Sequence, residues 1–470
     1  MTTLREEIEQ SGMLTVSAAL ERLGSGATST ALTEWALRQA EGDAELGAFV
    51  TLDHSRALTA ARHHDRSSQR GRLHGIPLVV KDNIHVAGMP NTAGTPALAG
   101  FTPRADAPAV QRLVDAGAFV IGKTNMHELA FGITGTSSAA GPTRNAWDSS
   151  CFAGGSSGGT AVAVARGGLA GLGTDTGGSV RIPAALNGVC GFRPTTGRYP
   201  SAGVTPLSST RDTIGPIART VADLMLLDAV LADDDMETIV APIREIRLGV
   251  PREYFTEPLG PETSAAFQHT LAVLAGAGVT LVDVPTGEFR RVEQHVGQVI
   301  TTYEAGVELT KYLGHYVPDT SLADLAGKIS GPDVRRLFLE EIVHGAVNRV
   351  AEHEYRAALA EGPMRLRDIY WNLFSTYRLD ALVFPTTPRC AGPLADTDGQ
   401  IELGSERFPT FPTMVRNTSP GSIAGLPGLT VPMTPVPDGL PVGLSLDGLP
   451  WTDRTLLGIG QKIEKILNVR

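Results

Sequence analysis

The chain is poor in cysteine and aromatic residues, carries no excess of positive charge, and contains no long apolar run. Its three cysteines, Cys151, Cys190 and Cys390, are odd in number, widely spaced and free of any C-x-x-C pair. That excludes a disulfide framework and any recognisable zinc pattern, and it suits a reducing compartment. No run of about 18 apolar residues is present to cross a bilayer as a helix. Residues 1–10 are polar and acidic, without the apolar stretch of a signal peptide. A formal net charge of −10 argues against a general nucleic-acid binder, whose affinity needs clustered Lys and Arg. No basic amphipathic segment favours an anionic membrane surface. The eleven histidines form neither H-x-x-x-H nor a carboxylate-rich cluster, so no metal and no cofactor is expected. His74, His85 and His127 read as packed or hydrogen-bonded core residues. The expected location is the cytoplasm.

Glycine is what the sequence has in excess, 53 residues among 470, much of it between positions 154 and 203. Apolar residues at 42% and charged residues at 19% are ordinary for a globular protein, and the length allows a large core. The glycine excess therefore reads as local backbone engineering rather than low complexity.

Periodicity alternates between helix and strand. Residues 14–40 predict two short helices broken at Gly24-Ser25-Gly26, the second capped near Ser29, and residues 53–66 predict another. Gly75-Ile-Pro-Leu-Val-Val-Lys81 is a short β-branched run ending in a charge, the mark of a buried strand that delivers a side chain at its tip. A helix over 108–116 and a strand over 118–121 follow, then a Gly/Ser loop, a small-residue helix over 159–166, and a second glycine-rich loop ending in Ser179. Further on, strands are expected over 247–250, 279–284 and 381–384, with helices over 263–275 and from 331 to 376. This alternation predicts an α/β fold around a mixed sheet. Residues 285–376, richer in charge and helix, read as an insertion or lid. There is no internal repeat and no linker long enough to force a domain boundary.

Two loops carry residues suited to acyl chemistry. In Thr174-Asp-Thr-Gly-Gly-Ser179-Val-Arg-Ile-Pro183, Gly177 and Gly178 allow unusual backbone angles, so consecutive N–H groups can converge as an anion nest beside a serine. Taken alone, the same loop is also a plain glycine-rich turn with a surface serine. In Gly154-Gly-Ser156-Ser157-Gly-Gly159 a serine precedes a helix, and alone it reads more simply as a cap. Lys81 alone would be a solvated surface lysine.

Together these segments resemble the amidase signature family. The resemblance runs through Gly75-Ile-Pro-Leu-Val-Val-Lys81-Asp-Asn, Gly122-Lys-Thr-Asn-Met-His-Glu128, both glycine-rich loops, Gly191-Phe-Arg-Pro-Thr-Thr-Gly-Arg198 and Asp212-Thr-Ile-Gly-Pro216. It continues more weakly through Phe384-Pro-Thr-Thr-Pro388 and Ala424-Gly-Leu-Pro427. It implies a single domain over 1–470, a twisted mixed sheet with helices on both faces, and a catalytic signature core over 70–225. It also implies a Ser–Ser–Lys triad. Ser179 matches the nucleophile, Ser156 the bridging serine that follows a cis peptide bond, and Lys81 the base. The backbone amides of Thr176, Gly177, Gly178 and Ser179 match the oxyanion hole. Such a lysine must be desolvated, because near its ordinary pKa of ~10.4 it carries a proton. Asp175 and Arg181 flank the nucleophile and are expected to pair in support of the loop. Ser156 and Ser179 stand 23 positions apart, one fewer than in many members, and the missing residue falls most easily at 166–170. That spacing leaves Ser157 as the alternative to Ser156.

Two other motifs are decoys. Gly117-Ala-Phe-Val-Ile-Gly122-Lys123-Thr124 satisfies G-x-x-x-x-G-K-S/T, but the four intervening residues form a strand and a helix precedes it, the reverse of a phosphate loop. Gly155-Ser-Ser157-Gly-Gly159 satisfies G-x-S-x-G, but the polar, turn-like residues 145–153 replace the buried strand of a nucleophile elbow. The implied activity is hydrolysis of a small carboxamide. Within the family, Lys123-Thr-Asn-Met-His-Glu-Leu129 and residues 191–199 look most like indoleacetamide and mandelamide hydrolases, which points to an aryl-acetamide type of primary amide. The alternative is a glutaminase-type subunit of a tRNA-dependent amidotransferase. The expected partner is a small-molecule amide, with no nucleic acid and no membrane; a homodimer is left open.

Overall fold

The computed structural model describes residues 14–68, 71–235, 240–394, 399–433 and 439–468. The signal-peptide reading of residues 1–10 lies outside them. Among the described residues no helix is long and apolar enough to cross a membrane.

Thirteen strands are described, β1 (Phe49–Leu52), β2 (Pro77–Lys81), β3 (Phe119–Thr124), β4 (Ala170–Asp175), β5 (Cys190–Arg193), β6 (Thr213–Ala218), β7 (Arg247–Pro251), β8 (Thr280–Val284), β9 (Ala381–Pro385), β10 (Gln400–Leu403), β11 (Glu406–Pro409), β12 (Gly428–Pro432) and β13 (Gly443–Asp447). Eleven of them form one sheet in the order β1-β3-β2-β4-β6-β5-β12-β13-β9-β7-β8, and β10 and β11 pair as a separate ribbon. The sheet is mixed: β3, β2 and β4 run parallel, as do β9, β7 and β8, while the strands between them pair antiparallel. Helices pack against it along its length, making a single α/β domain.

The central strands are buried on both faces, so they read as continuous apolar runs. β2 shows this plainly, Pro77-Leu-Val-Val-Lys buried at every position. Its pairing with β4 aligns Val79 with Gly171 and Val80 with Leu172, so both strands end at the same edge of the sheet. Continued by one residue, that alignment brings Lys81, the last residue of β2, beside Gly173, next to Thr174 near the end of β4. The first half of the expected glycine-rich loop is therefore strand. Its glycines exist for packing: a Cβ at Gly171 would stand 2.7 Å from both Thr160 Cγ2 and Val79 Cγ2. The small-residue helix Gly158–Ala165 lies directly on β4 because of that absence. The connection back to β4 is a tight turn at 166–169, closed by Gly168 N–H on the Ala163 carbonyl at 2.7 Å.

The second helix, Ser29–Gly42, is capped next to Ser29, by Thr28, whose side chain accepts from Ala31 N–H. Residues 119–124 are β3 in full, which removes any phosphate loop there. The helices expected from 331 to 376 are Pro332–Leu337, a π-turn at Phe338–Ile342 and Glu352–Tyr377. The longest helix, Phe289–Tyr316, falls in a stretch recognised only as helix-rich. Its apolar residues split between two clusters. Phe289, Val292, Val296 and Ile300 pack with Tyr370 and Phe384, and Leu309, Tyr312 and Leu313 pack with Leu129 and Phe338.

Gly159 is the sharpest test of this close packing. A Cβ there would meet Ala48 O at 2.4 Å, Asn125 O at 2.5 Å and Asn125 N at 2.6 Å, all backbone atoms that have no rotamer to change. Gly159→Ala should lower stability by about 3 kcal/mol, the upper end for overpacking, read as a lower denaturant midpoint; a midpoint equal to wild type would contradict the geometry.

Candidate active site

Lys81 has no exposed surface, and its ammonium sits 2.7 Å from Ser156 Oγ and 2.7 Å from Thr174 Oγ1. Asn83 Nδ2 donates to the same Thr174 oxygen at 3.2 Å. Burial pushes the Lys81 pKa down to about 7, against the opposing pull of the Asp175 and Asp212 charges. A lysine held this way is available as a neutral amine near neutral pH. Thr174 and Asn83 were not legible as site residues. The only signal was the register of β2 against β4, which needs the fold.

Ser156 is likewise fully buried, and the Gly155–Ser156 peptide is cis. Ser157 does something different. Its hydroxyl donates to the Thr174 carbonyl at 3.1 Å and accepts from Thr174 N–H at 3.3 Å, and its own N–H donates to the Ser179 carbonyl at 3.1 Å. Ser157 thus sutures the two glycine-rich loops, while Ser156 faces the lysine. Ser179 stands in the turn after β4 and is 7% exposed, the one of the three expected triad members that is not sealed off.

The turn around Ser179 is organised by Asp175. Its carboxylate accepts from Gly178 N–H at 2.8 Å and Val180 N–H at 3.2 Å. Arg181 adds a two-pronged contact, with Nε and Nη2 each at 3.1 Å. Arg193 approaches the same carboxylate at 3.3 Å and donates to the Asp175 carbonyl at 2.5 Å. All three charged groups are buried. Burial alone would raise the Asp175 pKa, but the two guanidiniums hold it well below the ordinary carboxylate range. Asp212 accepts from Thr176 Oγ1 at 2.5 Å and from the N–H groups of Leu207 and Ser208. On the far side Thr418 Oγ1 donates to the Gly177 carbonyl at 2.6 Å.

One part of the expected oxyanion nest is altered. The Gly178 N–H points inward to Asp175, because the carboxylate needs donors in its buried setting, and it is not free for a ligand. Among the described residues no protein acceptor takes the N–H of Thr176, Gly177 or Ser179. The space beyond Gly177 is open, with nothing within 4 Å of where its Cβ would be. Gly178 has φ +132° and a Cβ there would strike Thr418 Oγ1 at 2.2 Å, so glycine is required on both counts. The three histidines are buried with protein partners. His74 Nε2 lies 3.1 Å from the His64 carbonyl, His85 Nε2 lies 2.8 Å from Tyr312 Oη, and His127 Nε2 lies 3.3 Å from Asp333.

The Amidase family model matches residues 31–457. The chain is 41% identical to an indoleacetamide hydrolase of Agrobacterium vitis, covering 93% of this chain and 94% of that protein. It is 40% identical to a mandelamide hydrolase of Pseudomonas putida, covering 94% and 88%. Among solved structures, a crystal structure of an amidase aligns with a TM-score of 0.86 at 37% identity, covering 97% of this chain and 100% of that one. A glutamyl-tRNA(Gln) amidotransferase subunit of Chloroflexus aggregans is 37% identical, covering 96% of each.

Asp175→Asn should be strongly destabilising, by about 3–5 kcal/mol, since it leaves Arg181 and Arg193 buried with their shared counter-charge gone. The unfolding midpoint checks this; a near-wild-type midpoint would mean the guanidiniums find other partners.

Proposed function

This chain belongs to the Amidase family, and on that premise we propose that it hydrolyses a small carboxamide to a carboxylate and ammonia or an amine through a Ser179 acyl-enzyme. Neutral Lys81 takes a proton from Ser156, which takes one from Ser179 as its Oγ attacks the carbonyl carbon. The oxygen that gains negative charge meets the free N–H groups of Thr176, Gly177 and Ser179. The relay then runs backwards: the proton reaches the departing nitrogen, the C–N bond breaks, and the acyl group stays on Ser179. Water, deprotonated along the same route, adds to the ester carbonyl and releases the acid. The observation that carries this reading is the 2.7 Å contact between a fully buried lysine and Ser156.

The substrate class proposed is an aryl-acetamide type of primary amide, in keeping with the names of the two relatives at 40–41% identity. The helical stretch 285–376 is proposed to shape the pocket, and a cytoplasmic location fits the free cysteines. The alternative, a glutaminase-type subunit of a tRNA-dependent amidotransferase, has weaker support, since that relative is 37% identical.

Ser179→Ala should reduce ammonia release from phenylacetamide or indoleacetamide by about 10,000-fold or more, and Lys81→Ala nearly as much. Ser156→Ala should be severely impaired and Ser157→Ala less so; the reverse order would transfer the bridging role to Ser157.

The pH profile tests Lys81 separately. Since the working form is the neutral amine and its pKa lies at about 7, kcat/KM should rise with pH and level off above that value. Below it the decline should approach about tenfold per pH unit. A flat profile between about pH 5 and 9 would rule out lysine as the base.

A further inference from the structure

The peptide that carries Ser156 is held by the loop 127–137, and that loop is in turn clasped by the helical stretch 285–376. On the inner side, His127 N–H donates to the Ser156 carbonyl at 3.1 Å, and Gly154 N–H donates to the Thr134 carbonyl at 3.1 Å. The fit is close: a Cβ on Gly155 would stand 3.1 Å from Gly135 N and 3.2 Å from Gly132 O. Within the loop, Leu129 and Ala130 both have left-handed backbones, φ +53° and +63°. Such angles are unfavourable for residues with a side chain and persist only where surroundings impose them.

Residues 330–333 clasp both sides of this segment. Glu128, fully buried, receives Ser330 N–H at 3.0 Å, Ser330 Oγ at 2.8 Å and Gly331 N–H at 2.7 Å. In the other direction Asp333 offers its two oxygens to the loop, one accepting Ser137 Oγ at 2.7 Å and the other 3.3 Å from His127 Nε2. His127 Nδ1 accepts Gly135 N–H at 3.3 Å, which leaves Nε2 as the ring nitrogen facing Asp333, at ion-pair distance rather than in a hydrogen bond. Each partner thus contributes one carboxylate to the clasp. Neither carboxylate reaches the reacting atoms.

We propose that Glu128 and Asp333 are positioning residues. Docking of residues 330–333 on the loop 127–137 sets the place of the Ser156 hydroxyl between Lys81 and Ser179. The inference rests on the proposed relay through Ser156. It separates the helical stretch's effect on proton transfer from any effect it has on substrate fit. Loosening the clasp misplaces a proton-transfer group and therefore lowers kcat, whereas a pocket-shaping contact would act on KM.

The test uses the full-length enzyme with Asp333→Ala and Glu128→Gln, beside Ser156→Ala as reference. Asp333 has a half-exposed side chain, so its removal is compatible with folding; Glu128→Gln keeps the side-chain volume and places an amide donor against the Ser330 and Gly331 N–H groups. Both variants should lower kcat about tenfold with KM within about twofold of wild type. Labelling of Ser179 by a fluorophosphonate, which involves no amide substrate, should slow in parallel. Wild-type kcat and labelling in both variants, or a loss expressed only in KM, would overturn the proposal while an inactive Ser156→Ala left the relay intact. A Ser156→Ala enzyme that stays active would instead remove the relay, and this inference with it.

Discussion

A lysine with no access to water is the constraint from which the rest of the site follows. Lys81 ends a strand buried at every position, and the loss of hydration brings its ammonium toward neutrality. The two nearest carboxylates work against that. Asp175 sits close enough to favour the protonated amine, and its own negative charge is secured by the turn it organises. The protein resolves the conflict by giving Asp175 two guanidiniums of its own. Arg181 and Arg193 draw the carboxylate's field onto themselves, and the same contacts fasten the Ser179 turn to β4 and β5. Asp212 is handled differently: burial raises its pKa, and donors from Thr176, Leu207 and Ser208 stabilise what charge it carries. Lys81 therefore meets acids that are already satisfied, and desolvation wins.

Glycine placement follows from the same need to bring backbone close to a buried amine. Gly171 leaves room for Thr160 of the helix to pack on β4, and Gly159 lets the helix approach the backbone of Ala48 and Asn125, which carries Ser156 to within reach of β2. Gly178 permits the turn that points one N–H inward to Asp175. The neighbouring N–H groups of Thr176, Gly177 and Ser179 are thereby left without protein acceptors among the described residues. The inward N–H and the outward ones are parts of one device. A carboxylate that fixes the turn from below leaves less for the turn to reorganise when negative charge develops above it.

How far the sequence disclosed this depends on the kind of signal. β2 was legible because its β-branched run had no competing pattern, and both serine loops were legible because paired glycines beside serine have few other uses. β4, β5, β6, β12 and β13 were not read as strands. Each carries glycine, proline or both at positions where side chains would collide, so the composition that makes close packing work hides the strand propensity. The helix Phe289–Tyr316 escaped for another reason. It serves two apolar clusters on different sides, so no single stripe marks it. Thr174 and Asn83 lie near chemistry only because β2 and β4 are neighbours in register, a fact of tertiary pairing that no local pattern contains.

Function and stability draw on the same contacts to different extents. The buried charges around Asp175 hold the turn by mutual satisfaction, so removing one member leaves the others exposed to an apolar surrounding they cannot leave. Contacts on the outer side of the site are of another kind. Asp333 is half in solvent and Ser137 is partly exposed, so the fold depends less on them than on the buried charges around Asp175. The proposed site has a rigid half, where Lys81 and the Asp175 turn beside Ser179 are fixed by buried contacts, and an outer half, where Ser156 is held by a loop with left-handed backbone at Leu129 and Ala130. In the proposed relay, proton transfer through Ser156 is the step most sensitive to small displacements, because its distance to two partners must be met at once. On the proposed reading, the chemistry depends on residues such as Asp333 that make no contact with Lys81, Ser156 or Ser179.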